Sequence, residues 1–361
     1  MVSASAAQAE VEVQARGTRA VAAWLLVCCA MIFLMVVIGG LTRLTLSGLS
    51  ITDWEPVTGV VPPLSPADWA AEFAKYRAIP QYQALNAGMS LANFQTIYWW
   101  EYTHRLWGRL IGFVYLLPFL YFLARRRIPR RLVLPLAGIF ALGAAQGALG
   151  WYMVESGLAH RIEVSQYRLT AHLALALAIY AATLWTALGL LRDPSPAVRA
   201  RESAWWLRRA AEAVLCLVAA TIVAGGFTAG LHAGLIYNTF PLMGGSLVPA
   251  DYAALAPFPR NWFENAAAVQ FDHRILAMTT AAAIVALWLA ARRRSPALHA
   301  LLAAVALQFA LGLSTLLLVV PIPLAAAHQA GAVILLTAAL VFRHTLRRNI
   351  RRPGPLSPDT P

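Results

Sequence analysis

Charge is scarce in this chain: Asp, Glu, Lys and Arg make up 12% of 361 residues, against 60% hydrophobic residues and a mean hydropathy of +0.62. A water-soluble domain carries about twice that share of charge, so that class is excluded. Acidic residues are scarcer than basic ones, 16 against 29, which leaves a net charge of +13. An excess of this size would suit nucleic acid if the arginines formed one face, but they fall in alternate loops, and nucleic acid is excluded as a partner. Cysteine is nearly absent. Cys28, Cys29 and Cys216 all lie inside apolar runs, where a thiol packs as a small hydrophobe, and they offer neither a disulfide framework nor a metal spacing. The short apolar core and small-residue cleavage site of a secretory signal are missing as well, and Glu10 and Glu12 are out of place in a transit peptide. The first apolar run is therefore expected to be retained.

Long apolar runs are what the chain has in abundance. They recur near 21–41, 98–124, 131–153, 166–191, 210–231, 266–291, 297–320 and 323–342, each about the length that crosses the hydrocarbon layer as a helix. The expected fold is an all-α polytopic membrane protein of eight transmembrane helices. Arg125–Arg131, Arg192–Arg209, Arg292–Arg294 and Arg343–Arg352 follow spans two, four, six and eight, and the positive-inside rule places these clusters and both termini in the cytoplasm. This gives a cytoplasmic N-terminal tail over 1–20, a first four-helix half over 21–192 and a cytoplasmic linker over 193–209. A second half over 210–343 and a C-terminal tail over 344–361 follow. The long outer loop 42–97 carries Trp54, Trp69, Tyr76 and Tyr82 and is broken by prolines 56, 62, 63, 66 and 80, which predicts a cap on the outer face.

The two halves repeat. Gly39-Gly40-Leu41-Thr42 returns as Gly225-Gly226-Phe227-Thr228, and Glu101-x-x-His104-Arg105 as Gln270-x-x-His273-Arg274. Gln146-x-Ala148-Leu149-Gly150 returns as Gln308-x-Ala310-Leu311-Gly312, and Ala171-His172 as Ala327-His328. Four helices per half is an even number, so the halves share an orientation and are expected as two tandem, pseudo-symmetric four-helix bundles related by an axis along the membrane normal.

That repeat puts His104 and His172 in one half and His273 and His328 in the other, near the outer ends of spans two, four, six and eight. A single intramembrane histidine is usually a hydrogen-bonded helix contact. Two pairs at matching depth instead suit two haem irons, each held by imidazoles from facing helices; zinc or copper would need further ligands that do not recur. His232 has Leu46 in its place in the first half and is read as structural, as are His160, His299 and His344. Where the first half has Glu101 the second has Gln270. A buried carboxyl can be tuned into an acid or base and an amide cannot, so Glu101 is the candidate catalytic residue and the second half holds a permanent, electron-transferring haem. Glycines at the ends of spans one and five would let backbone approach a flat ligand.

These motifs, with Tyr167-Arg168-Leu169-Thr170-Ala171-His172, Asn238-Thr239-Phe240-Pro241 and Ala327-His328-Gln329-Ala330-Gly331, closely resemble the haem A synthase family in its proteobacterial and mitochondrial branch, over about 39–337. The resemblance implies a membrane oxidoreductase of the bacterial inner membrane. It would oxidise a ring methyl of haem O by two successive hydroxylations to the formyl group of haem A, for cytochrome oxidase assembly. It further implies haem B as cofactor on His273 and His328, substrate haem O near His104 and His172, and an essential acid at Glu101. Arg105, Arg109 and Arg168 would serve the propionates of the substrate and Arg274 those of the cofactor. Implied partners are membrane lipid, a haem O synthase, oxidase assembly factors and an electron acceptor that the sequence does not identify. Some members carry a cysteine pair in outer loops, and here those loops have none. Two other classes compete: a di-haem electron-transfer protein needs the same histidines but neither Glu101 nor the cap, and a transporter would place its ionisable residues near the midplane.

Overall fold

In the computed structural model the described residues are 2–55, 58–158, 161–191, 205–291 and 294–347, with the backbone alone for 2–16. Expectations for Pro56, His160, the linker over 193–204 and the tail beyond 347 lie outside them. The fold is all-α: α1 (Val2–Leu44), α2 (Pro66–Arg77), α3 (Pro80–Leu85), α4 (Leu91–Ala124), α5 (Arg130–Leu158), α6 (Gln166–Leu191), α7 (Trp205–Gly230), α8 (Asn261–Glu264), α9 (Ala266–Ala290), α10 (Pro296–Leu317) and α11 (Ile322–Thr345). Eight of these, α1, α4–α7 and α9–α11, are long and apolar enough to cross a membrane. Helix starts follow local chemistry. Ser65 and Asp68 form a capping box at α2, Asn265 caps α9, and Ser295 caps α10 with Pro296 in its first turn.

Neighbour relations are regular. α1 packs on α4 and α6, and α5 on the same two; α7 packs on α9 and α11, and α10 on the same two. Contact between these groups runs through α1 with α11, α6 with α7 and α6 with α11. The membrane-spanning core includes Leu25, Cys28, Leu136, Val218, Ile284 and Leu301. The segment between α1 and α4 has a separate core of Leu49, Tyr76, Ile79, Phe94, Tyr98 and Tyr102, in which the Tyr76 hydroxyl donates to Gln81 at 3.1 Å and accepts from Asn86 at 2.6 Å. Trp69 meets Tyr98 edge-on with ring centroids 5.0 Å apart. The cap is thus a packed unit built around the first turns of α4.

Three boundaries differ from the sequence reading. α4 begins at Leu91 rather than near 98, because its first turns belong to the cap and their aromatics face Trp69 and Phe73 instead of lipid. α7 begins at Trp205, so part of the expected linker is helical. The backbone of 2–20 is continuous with α1 rather than a separate tail. In each case apolarity marks the lipid-crossing stretch, whereas the helix end is set by capping and packing.

Candidate functional site

α4 presents Glu101 about three turns from its start, one turn before His104. Glu101 is 2% exposed. Its Oε2 accepts from the Ser50 hydroxyl at 2.8 Å and the Ile51 N–H at 2.9 Å, and its Oε1 accepts from Arg105 Nε at 3.0 Å and Nη2 at 2.5 Å. A carboxylate has about four lone-pair sites, so every one has a donor. Arg105 also donates to the carbonyls of Ile51 at 2.7 Å and Asp53 at 2.9 Å. The pair therefore fastens the segment after α1 onto α4.

The second half builds the same clamp from different chemistry. Arg274 donates to the carbonyls of Tyr237 at 2.6 Å and Thr239 at 2.8 Å. Tyr237 and Thr239 stand 186 positions after Ile51 and Asp53, the offset that also separates Gly225 from Gly39. Gln270, 2% exposed, donates its amide to the Tyr237 carbonyl at 3.0 Å. Glu101 accepts from the main chain where Gln270 donates to it, so exchanging carboxylate for amide reverses a hydrogen bond and removes a charge.

Each of the four histidines lies against a glycine of the next helix. A Cβ on Gly39 of α1 would meet His104 Nε2 of α4 at 3.0 Å, and one on Gly150 of α5 would meet His172 Cε1 of α6 at 2.9 Å. In the second half a Cβ on Gly225 of α7 would meet His273 Cε1 of α9 at 3.0 Å, and one on Gly312 of α10 would meet His328 Cε1 of α11 at 2.7 Å. Gly39 and Gly225, at the ends of the first and fifth spans, thus lie against imidazoles, as do Gly150 and Gly312. His273 Nδ1 donates to the Thr221 carbonyl at 3.1 Å, which leaves Nε2 as the ring's acceptor. Gln146 and Gln308 donate to the carbonyls of His172 and His328 at 2.9 and 3.0 Å.

A bis-imidazole haem iron fits these residues. Each half offers two nitrogen donors from different helices, and His172 Nδ1 is buried with no hydrogen-bond partner. Among the described residues no three or more His, Cys, Asp or Glu side chains gather as a metal cage.

The remaining arginines also hold carbonyls. Arg109 donates to the Glu55 carbonyl at 2.6 Å, and Arg168 to the Tyr152 carbonyl at 2.5 Å with its guanidinium 3.5 Å from the Tyr152 ring centroid. All four candidate arginines thus hold main-chain carbonyls, a role the sequence did not signal.

His232 is more engaged than its isolation in the repeat suggested. Its Nε2 lies 2.7 Å from Glu163 Oε2, in the loop before α6, and its Nδ1 lies 3.5 Å from Arg43 Nη2 at the end of α1. It joins the two groups of helices on one side. The hydrogen bond from His232 holds the Glu163 carboxyl below the usual carboxylate range, helped by Arg43 and Arg161. A carboxyl lowered in the folded state stabilises fully above its unfolded value of about 4.5 and less as pH falls through the folded value. Glu163→Gln is expected to lose about 1 kcal/mol at pH 7 and to converge on the parent in acid. Thermal midpoints of both proteins across that range check this, and a gap that stays constant with pH would contradict it.

Sequence reasoning missed Ser50, Thr221 and the seating role of Gly150 and Gly312. The last two were inside a repeated motif, and their spacing to a histidine on the next helix was the available signal.

A family profile described as cytochrome oxidase assembly protein, COX15–CtaA, matches residues 22–340. A protein of Nitrosospira multiformis named Heme A synthase is 53% identical over 334 residues, covering 91% of this chain and 94% of its own. One of Rhodospirillum centenum with the same name is 54% identical over 340 residues, covering 92% and 90%. Heme A synthase COX15 of Arabidopsis thaliana is 48% identical over 343 residues, covering 90% of this chain and 74% of its own. With the paired histidines, the clamped outer segments and this kinship over nearly its whole length, the chain belongs to the COX15–CtaA family of cytochrome oxidase assembly proteins, the family of the haem A synthases.

Proposed function

We propose that this chain is the enzyme that converts haem O to haem A. Its kinship to haem A synthases over about nine-tenths of its length carries that reading. The substrate's ring methyl is oxidised first to a hydroxymethyl and then to a hydrated aldehyde, which loses water to leave the formyl group. His104 and His172 would hold substrate haem O, and His273 and His328 would hold haem B. Haem B, when bound, supplies a one-electron redox centre.

The chain's own residues orient and stabilise. His104 and His172 fix the substrate ring through its iron, so that one methyl is presented to the same place each turnover. Glu101 acts as a fixed negative charge that stabilises positive charge developing on the methyl carbon. Its four donors hold the carboxylate in one place and orientation, as a preorganised charge requires. Arg105, Arg109, Arg168 and Arg274 would serve the propionates as bidentate partners. The asymmetry of Glu101 against Gln270 supports placing the oxidation in the first half.

The halves over 21–192 and 210–343 are two four-helix bundles related by a twofold axis along the membrane normal. The matching neighbour relations and the two clamps support that arrangement. Arginine-rich loops put both termini on the cytoplasmic side of the bacterial inner membrane. Haem O arrives laterally through lipid from a haem O synthase, product passes to oxidase assembly factors, and electrons leave to a quinone or a partner haem protein. In a host that makes haem O but no haem A, introducing this chain is expected to yield haem A in the membranes. Haem O left unchanged beside a haem B-loaded protein would instead favour a di-haem electron carrier, which the four seated histidines would serve equally.

A further inference from the structure

Four histidines on four helices each rest on a glycine, and the pattern follows the internal repeat. Gly39 and Gly225 correspond, as do Gly150 and Gly312. The glycine that follows each of the first pair makes room for the other half of the chain. A Cβ on Gly40 would collide with the side chain of Gln329 on α11, and one on Gly226 would meet Thr170 Oγ1 of α6 at 3.0 Å. Each glycine pair therefore admits a histidine of its own half and a helix of the other. By contrast Gly138, also on α5, has nothing within 4 Å of where its Cβ would stand.

We propose that Gly39, Gly150, Gly225 and Gly312 are positioning residues: each leaves on the neighbouring helix the space in which one imidazole lies, and so fixes the plane that ring presents to a porphyrin. The inference rests on the reading of His104, His172, His273 and His328 as haem ligands. An alanine at Gly225 would bring its Cβ to 3.0 Å from His273, and one at Gly312 to 2.7 Å from His328, so the ring must tilt or withdraw. Helix propensity works the other way, since alanine is favoured over glycine in a helix interior. A loss at these positions is therefore a loss of ligand geometry and not of helix.

The test uses the full-length protein, purified with its haem, as parent, Gly225→Ala, Gly312→Ala and Gly138→Ala. Haem B per polypeptide, the low-spin ferric electron paramagnetic resonance signal, which reports the mutual orientation of two axial imidazoles, and the thermal midpoint are read on each. Gly225→Ala and Gly312→Ala are expected to shift that signal and to weaken haem B binding about 10- to 100-fold, the range for disturbing a ligand's support. Gly138→Ala is expected to match the parent in both. Gly225→Ala is the milder insertion and keeps the test decisive if Gly312→Ala fails to fold. Parent-like signal and haem content in Gly225→Ala would overturn the proposal. His273→Ala and His328→Ala, run beside them, separate the two levels: if they too keep haem B, the ligation reading itself fails, whereas their loss with an unchanged Gly225→Ala removes only the role of the glycines.

Discussion

Glu101→Gln is expected to lower haem A formation by about 10²- to 10³-fold, the range for removing one preorganised electrostatic partner of the reacting centre, while haem B stays bound in the second half. The second half carries glutamine at the matching place and tolerates it buried, with its amide on the Tyr237 carbonyl. At position 101 the surroundings are the reverse, because Ser50, the Ile51 N–H and Arg105 all donate. An amide offers them one acceptor, and its own N–H₂ then faces a donor, at a cost of about 1–3 kcal/mol. The substitution is thus mildly destabilising as well as uncharged. Haem B content and thermal midpoint measured beside haem A separate the two effects: activity is lost far beyond what the fall in stability explains. Equal falls in haem A, haem B and stability would assign Glu101 to the clamp alone.

His273→Ala and His328→Ala are each expected to strip the protein of most of its haem B, whereas His104→Ala and His172→Ala leave it in place and lose haem O or haem A instead. The expectation follows from the seats, since each histidine is held by its own helix pair within its own half. Removing an axial ligand deletes a bond to iron, so the loss exceeds the 10- to 100-fold typical of disturbing a ligand's support. Extracted haem B per polypeptide checks it. Equal loss from variants of either half would mean that the two sites do not act separately.

Much of this site was legible in the sequence because its signals are repeated. Apolar length and arginine placement gave eight helices, and the two-fold recurrence of Gly-Gly, His-Arg and Ala-His singled out the four histidines from the eight in the chain. The rest was hidden for physical reasons. Arg105 and Arg274 hold main-chain carbonyls, and any residue supplies a carbonyl, so nothing in the side chains at 51 or 237 announces the clamp. The seating of imidazoles on glycine depends on how one helix is rotated against the next, which spacing along a single helix does not encode. α4 starts at Leu91 because Phe94 and Tyr98 pack into the cap, and their apolarity reads the same whether the neighbour is lipid or protein. His232 looked isolated because Leu46 stands in its place; in fact both take left-handed backbone conformations, with φ of 50° and 54°, so the turn is repeated although the residue is not. Such a conformation costs a residue other than glycine about 1–3 kcal/mol, and the contacts of His232 with Glu163 and Arg43 help offset it in the second half.

The central claim is that this chain oxidises haem O and does not merely carry electrons. It is tested most directly by extracting the porphyrins bound to the purified protein from cells that make haem O, and identifying each by liquid chromatography and mass spectrometry. Haem B accompanied by haem A or the hydroxymethyl intermediate in the parent, with the oxidised species missing from Glu101→Gln, is the predicted result. Haem B alone in both proteins, with haem O abundant in the same membranes, would contradict it.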